Sequence, residues 1–365
     1  MGRALGVGSR VALAALSLGL AACGGSGGTG AGPGPSPDRS SPVASPSAPA
    51  PGRPGPDSLR TDHEPLVERV LAISVDGLNP QALATLGPQG APAFHRLARE
   101  GASTLNARTA YELSVTLPNH TGMLTGRRVD AAHGGHGVTF NDDLGGTVHD
   151  AAGEQVASVF DVVHEAGGSS ALFTSKAKFA LFDRTWPDID RFTVDLDNQR
   201  LVELVLTDLA DLADRRALTF VHLSAPDVAG HAHGWLSAPY LDAVREVDGL
   251  LDALLDAVDR LPDTDPLAVV LTADHGGQGP GHGDPTLPAD YTVPFFVRAP
   301  GVPAGADLYD LNPQLLDPGT GRPEYDGAQP VRNGDLANLV TDLLGLPAVP
   351  GSTLDPQQNL EVERR

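Results

Sequence analysis

Three aspartates and three histidines stand where this chain could do metal chemistry. Asp76 closes the apolar run 70–75, Asp227 and His231 follow the run 217–223, and Asp274 and His275 follow the run 267–272. His282 comes seven residues after His275, inside Gly281-His282-Gly283. Carboxylate oxygens and imidazole nitrogens are ligands that Zn²⁺ accepts and for which Mn²⁺ can compete. Singly, each has an ordinary reading: an Asp after a strand caps a helix, and a lone His sits on a surface or in a core. Together, in glycine-rich loops that allow close backbone approach, six such ligands suit two sites of three, with coordination positions left for substrate and water. A nucleophile candidate lies in Ser114-Val115-Thr116-Leu117-Pro118-Asn119-His120. Pro118 suits a helix's first turn, and a helix N-terminus is an anion site. Thr116 could be only an N-cap. As a nucleophile its hydroxyl would need activation, which a metal ion supplies by lowering its pKa.

The elements that must position these residues alternate. The β-branched run 70–75, together with 171–174, 217–223, 267–272 and 292–297, reads as buried strands. Helical spacing marks 91–100, 201–212, 241–258 and 336–344. In 241–258 the apolar stripe Leu241, Val244, Val247, Leu251, Leu254, Leu255 and Val258 opposes the acids Asp242, Glu246, Asp252 and Asp256, which read as its wet face. The expectation is an α/β fold, a mostly parallel central sheet with helices on both faces. In such sheets chemistry gathers beyond the carboxyl ends of the strands, where the six candidates stand. Residues 308–332, rich in Pro, Gly and Asp, read as a long surface loop near that face.

Taken together, Ser74-Val75-Asp76-Gly77, Thr116-Leu117-Pro118-Asn119-His120, Pro226-Asp227-x-x-Gly230-His231, Asp274-His275-Gly276 and His282-Gly283 resemble the alkaline phosphatase superfamily. The branch they look most like is the type I phosphodiesterase/nucleotide pyrophosphatase group. The resemblance implies a zinc ion held by Asp227, His231 and His282, a second held by Asp76, Asp274 and His275, and Thr116 as nucleophile forming a phosphothreonine. The run His136-Gly137-Val138-Thr139-Phe140-Asn141 looks like the family's His-Gly-x-x-x-Asn loop, which implies that Asn141 donates to a phosphate oxygen; its other reading is a turn residue beside Asp142-Asp143. Asn119 and His120 are expected to shape the helix start. The departure is that only six residues separate His275 from His282, where better-known phosphodiesterases carry a long insert. A formylglycine sulfatase is disfavoured because the nucleophile position is Thr.

The function expected is a phosphoester hydrolase on a small substrate, a phosphodiester or nucleotide pyrophosphate. The alternatives are a phosphomonoesterase, a phosphonate hydrolase, or a ligand-binding surface lipoprotein on a degenerate scaffold. A monoesterase would add a cation near Asn141, and Lys176, Lys178 and Arg184 are candidates; the two lysines are the only ones in the chain.

Among 365 residues, 25 Lys+Arg face 46 Asp+Glu, a net charge of −21, which argues against a protein that grips nucleic acid by its phosphates. So negative a chain needs local cations at any phosphate site. The single Cys excludes internal disulfides and multi-cysteine metal sites. That residue, Cys23, ends Leu20-Ala21-Ala22-Cys23, after a basic start with Arg3 and Arg10 and an apolar run too short to span a bilayer. The tetrapeptide resembles a bacterial lipobox, so residues 1–22 are expected to be a lipoprotein signal peptide and Cys23 a lipidated membrane anchor on the outer face of the cytoplasmic membrane. Residues 24–60 hold nine Pro and nine Gly, with Ser and Ala, and are expected to be a disordered tether within a 23–60 linker. Residues 61–365 are expected to be one hydrolase domain.

Overall fold

The computed structural model describes residues 64–363 apart from 212–214 and 263. The expected signal peptide, the lipidated Cys23 and the linker lie outside the described residues. No described helix is long and apolar enough to cross a membrane.

The described strands form one eight-stranded sheet: β1 (Arg69–Val75), β2 (Ala102–Arg108), β3 (Ser170–Thr174), β4 (Arg191–Val194), β5 (Leu218–Leu223), β6 (Leu267–Thr272), β7 (Thr292–Arg298) and β8 (Ala306–Asp307), in the order β4-β3-β5-β1-β6-β7-β2-β8. Strands β4, β3, β5, β1 and β6 pair in parallel, β7 runs antiparallel to β6 and β2, and β8 lies parallel to β2. The fold is the expected α/β class with a mostly parallel sheet. Strands β1, β3, β5 and β6 are buried along their whole length, which is why they are near-continuous apolar runs in the sequence.

Because β2 runs antiparallel to β7, it runs with β1 and β6 and ends on their edge. From Arg108 the chain turns through 109–115 into the helix Thr116–Thr125. Val115, in extended conformation, is that helix's N-cap, so Thr116 is its first residue and not the cap. The helix Ala238–Val258 buries Tyr240, Val244, Val247, Leu251, Leu254 and Leu255 and turns Asp242, Glu246, Asp252 and Asp256 outward, as its stripe required; Asp248 is buried with the stripe and accepts from the Phe94 N–H at 2.9 Å. Three of the outward acids, Asp252, Asp256 and Asp259, serve Arg96 of the helix Pro92–Glu100.

Two departures concern the active edge. The segment after β5 is not a loop but the helix Ala225–His233, which sets Asp227 and His231 one turn apart on one face. Residues 308–332 are not a plain surface loop. They open with the helix Leu308–Leu311 and bury Asn312 and Arg332. Tyr325 accepts from the backbone N–H of Tyr111 at 3.0 Å and donates to Glu112 at 2.6 Å, bracing the run-up to Thr116.

Candidate active site

Central strand β1 delivers Asp76 and then turns at Gly77, whose φ is +71°. A side chain there would be strained, and its Cβ would stand 3.0 Å from the Asp227 Cα. The Gly77 N–H donates to Asp274 Oδ1 at 3.0 Å, while its carbonyl accepts from Trp235 Nε1 at 2.9 Å and Tyr240 Oη at 2.8 Å. One glycine thus locks the ends of β1 and β6 together and fixes the backbone against the helix that carries Asp227.

The six expected ligands arrive as two trios, Asp76/Asp274/His275 and Asp227/His231/His282, each with ligand atoms within 4.8 Å of one another. The three imidazoles share a pattern. Nδ1 of His275 donates to the Gly276 carbonyl at 2.9 Å, that of His282 to Ser114 at 2.7 Å and that of His231 to Pro280 at 3.1 Å. Each ring, when neutral, therefore turns an unprotonated Nε2 into the site, the arrangement in which an outer carbonyl orients a metal-binding histidine. Nε2 of His282 and Nε2 of His231 face each other at 3.2 Å, and two neutral rings of this tautomer bring no proton between them.

The carboxylates divide their oxygens in the same way. Lys176 Nζ lies 2.6 Å from both Asp76 Oδ2 and Asp227 Oδ2, and His222 Nε2 donates to Asp76 Oδ2 at 2.9 Å. Asp274 Oδ1 accepts from Gly77 and from the His275 N–H at 2.9 Å. Left over, buried and without a hydrogen-bond partner are Asp76 Oδ1, Asp227 Oδ1, Asp274 Oδ2 and His275 Nε2. They converge: His275 Nε2 is 3.2 Å from Asp274 Oδ2, 3.5 Å from Asp76 Oδ1 and 4.0 Å from Asp227 Oδ1. Buried polar atoms without partners are costly, and divalent cations are the partners that oxygen and imidazole lone pairs share. The residues present fit bound metal.

The electrostatics agree. Burial works against the Asp76 carboxylate, but the Lys176 charge and the His222 hydrogen bond outweigh it and hold the group well below the usual range. Burial, then the charge of Asp76, pushes Asp274 well above that range, a penalty a cation would relieve. Burial and the neighbouring His282 pull His275 down to about 3, and burial lowers His282 too, so both rings are neutral at neutral pH. His231 goes the other way, raised by the Asp227 carboxylate 3.3 Å from its Nε2.

Thr116 is tied to both trios through its neighbours. Ser114 accepts from His282 and returns a hydrogen bond from Oγ to the His282 carbonyl at 2.6 Å. His120 Nδ1 donates to the Thr116 carbonyl at 2.9 Å and stands 3.6 Å from Asp274 Oδ2. The Asn119 side chain accepts from Ala110 N–H at 2.9 Å and donates to the carbonyls of Leu113 and Val115. Asn119 and His120 thus shape the helix start as expected. The Thr116 hydroxyl makes no hydrogen bond among the described residues, so it is unencumbered for attack.

Asn141 lies beside this helix start. Its Oδ1 accepts from the Leu117 N–H and from Lys178 Nζ, each at 3.0 Å, which leaves the amide NH₂ as the donating end. Arg184 does not join it, being held by Asp143 and by the Gly146 carbonyl.

Four residues missed from the sequence support the site. His222 anchors Asp76 and was visible as the one ionisable side chain in the buried strand LTFVHL. Trp235 and Tyr240 clamp Gly77. Asn333 donates to the carbonyls of Ala273 and Asp274 at 3.1 Å each and to Asn119 Oδ1 at 3.2 Å, joining the Asp274 loop to the helix that Thr116 opens. No local pattern marks such a residue.

A parallel-centred α/β sheet with six metal-type ligands and a threonine at a helix start defines an alkaline phosphatase-like class of protein. The comparisons make the class specific. Residues 70–280 match the family described as type I phosphodiesterase / nucleotide pyrophosphatase, and the chain belongs to that family. The match includes every candidate site residue but His282, which the structure joins to Asp227 and His231. Among curated relatives, GPI ethanolamine phosphate transferase 1 of Saccharomyces cerevisiae is 30% identical over 181 residues, covering 46% of this chain and 19% of that protein. The human ectonucleotide pyrophosphatase/phosphodiesterase family member 1 is 25% identical over 219 residues, 56% of this chain and 23% of that one. The chain thus spans about a fifth of the length of the curated relatives it matches. Among solved structures, an inactive murine ectonucleotide pyrophosphatase/phosphodiesterase 5 in complex with AMP superposes with a TM-score of 0.56 at 15% identity, covering 78% of this chain and 96% of that one. That likeness supports the fold.

Proposed function

We propose that this protein is a metal-dependent phosphoester hydrolase, acting through a covalent phosphothreonine on Thr116, with the phosphodiesters and nucleotide pyrophosphates of its family as the starting substrate class. The observation that carries the reading is the set of four buried, partnerless ligand atoms on Asp76, Asp227, Asp274 and His275. Two divalent ions, Zn²⁺ by ligand type, would be held by Asp76/Asp274/His275 and by Asp227/His231/His282. When bound, they supply Lewis-acid stabilisation of the charge that develops on the oxygens around phosphorus.

The chain's own residues do the rest. Thr116 Oγ1 gives up its proton to solvent and attacks phosphorus; the bond from phosphorus to the leaving oxygen breaks, and that oxygen takes a proton from water. The Asn141 amide holds a non-bridging oxygen throughout. Water then attacks phosphorus, the Oγ1–P bond breaks, and Thr116 regains a proton. Water is the assigned acceptor because the half-exposed His231 opens one trio to solvent. The relatives named as transferases make an alcohol acceptor the reading to test against. At the cell level, we propose a lipoprotein anchored through Cys23 to the outer face of the cytoplasmic membrane.

Two in-line steps give net retention at phosphorus, so a chiral thiophosphate ester should be hydrolysed with retention; inversion would mean direct attack by water. Thr116→Ala should lose at least ~10³-fold in kcat while elemental analysis still finds its metal. Activity near wild type would remove Thr116 from the mechanism.

A further inference from the structure

A cavity of ≈ 370 Å³ opens where the segment 314–332, the turn Asn333–Asp335 and the C-terminal run 353–360 meet. None of the residues lining it belongs to either trio. Leu315, Pro330, Leu354 and Leu360 give it an apolar wall, and the side chains of Asp335 and Asp355 line it too. The proposed reaction uses neither carboxylate.

Asp335 is only 6% exposed. Its Oδ2 accepts from the Arg332 N–H at 2.7 Å, while Oδ1 has no hydrogen-bond partner among the described residues. Asp355 takes one backbone N–H on each oxygen, from Asn359 at 2.7 Å and from Leu360 at 3.1 Å. Neither acid forms an ion pair among the described residues. The one cation in the wall, Arg332, spends its guanidinium on the carbonyls of Thr109 and Pro323 and on Gln329 Oε1. A buried carboxylate without a cation is costly, and a second one beside it raises the cost. Burial, then the charge of Asp355, pushes the Asp335 carboxyl up to about 8, and burial pushes Asp355 up to about 6. A positive charge between them would reverse both shifts.

The shape of the space says what kind of cation. A bare metal ion asks for six or more oxygens close around it. Here two carboxylates share a far larger space with aliphatic side chains, the mix of apolar wall and few convergent polar groups that binds small organic molecules. An ammonium group has three N–H donors, enough to bond Asp335 Oδ1 and an Asp355 oxygen at once.

We propose that this cavity is an accessory binding site for a small aliphatic ammonium compound, its charged end held between Asp335 and Asp355 and its hydrocarbon laid against Leu315, Leu354 and Leu360. The site stands whether or not the hydrolase reading does, because it shares no residue with the trios or with Thr116.

Calorimetric titration of the full chain at pH 8 tests it, with zinc present so that the trios do not compete for the probe. The probes are n-butylammonium chloride, n-butanol and calcium chloride. The ammonium should bind at least about 10-fold more tightly than the uncharged alcohol, the worth of one hydrogen bond between charged groups. Asp335→Asn and Asp355→Asn should each weaken it about 10- to 100-fold. Equal affinity for ammonium and alcohol, no binding of the ammonium, or binding that neither substitution moves would overturn the proposal. Calcium bound in its place, with the same dependence on Asp335, would overturn it in favour of a metal site. The comparison of ammonium with alcohol needs no variant, so it decides even where a substitution prevents folding.

Discussion

The two candidate ligand trios meet solvent differently. Asp76, Asp274 and His275 are each 0% exposed, whereas the His231 side chain of the other trio is 48% exposed. The closed trio is built on the central strands β1 and β6 and backed by His222, Gly77 and Asn333. The open trio is built on a short helix and a glycine-flanked loop, and its links to the rest are the Lys176 bridge to Asp227 and the Ser114 clamp on His282. The contrast teaches a division of labour. The closed trio is preorganised, with the Thr116 helix stapled beside it, while the open trio is the one that solvent reaches; in the proposed reaction that is the side for water and the leaving group. Lys176 holds one carboxylate oxygen of each trio and so couples them.

The largest effect expected from breaking this contrast is in the closed trio. Asp274→Asn should cost ~10³-fold or more in kcat and reduce bound zinc by elemental analysis; full metal occupancy in that variant would remove Asp274 from the ligand set. His231→Ala, at the exposed position, should cost about 10- to 100-fold and recover part of its rate in excess zinc. A loss as deep and as unrecoverable as that of Asp274→Asn would erase the distinction between the trios.

The smallest effect lies beneath the closed trio and reads in stability. Burial, then the charge of Asp355, pushes the Asp335 carboxyl up to about 8. An unfolded Asp titrates near pH ~4, so between those values the native state holds a proton that the unfolded state has lost. Stability is therefore greatest below that window and falls as pH rises through it. Asp335→Asn should flatten the denaturant midpoint against pH between about 4 and 8; an unchanged slope would show that Asp335 does not titrate there.

How much of this was legible in the sequence follows from locality. Strands β1, β5 and β6 were readable because burial on both faces makes each an apolar run. Strand β2, ASTLNAR, buries the polar Thr104 and Arg108, exposes Leu105 and shifts register between Thr104 and Ala107, so it gave no such signal, although it leads the chain to Thr116. The helix Ala225–His233 is short, with proline near its start and no apolar stripe, so its one-turn spacing of Asp227 and His231 was lost among loop signals. The candidate ligands Asp76, Asp227, Asp274 and His275 were readable because each stands within a few residues of a strand's end, and His231 and His282 because each follows closely on one of them. The groups that orient them were not, because Lys176 meets Asp227 across 51 positions and His222 meets Asp76 across 146. Only the folded sheet brings them together.

The central claim is that the two trios are two metal sites, and anomalous diffraction from crystals grown with zinc, collected on both sides of the zinc edge, tests it most directly. The account predicts two peaks, one among Asp76, Asp274 and His275 and one among Asp227, His231 and His282. A lone peak shared by all six side chains, or zinc bound elsewhere with both trios empty, would contradict it.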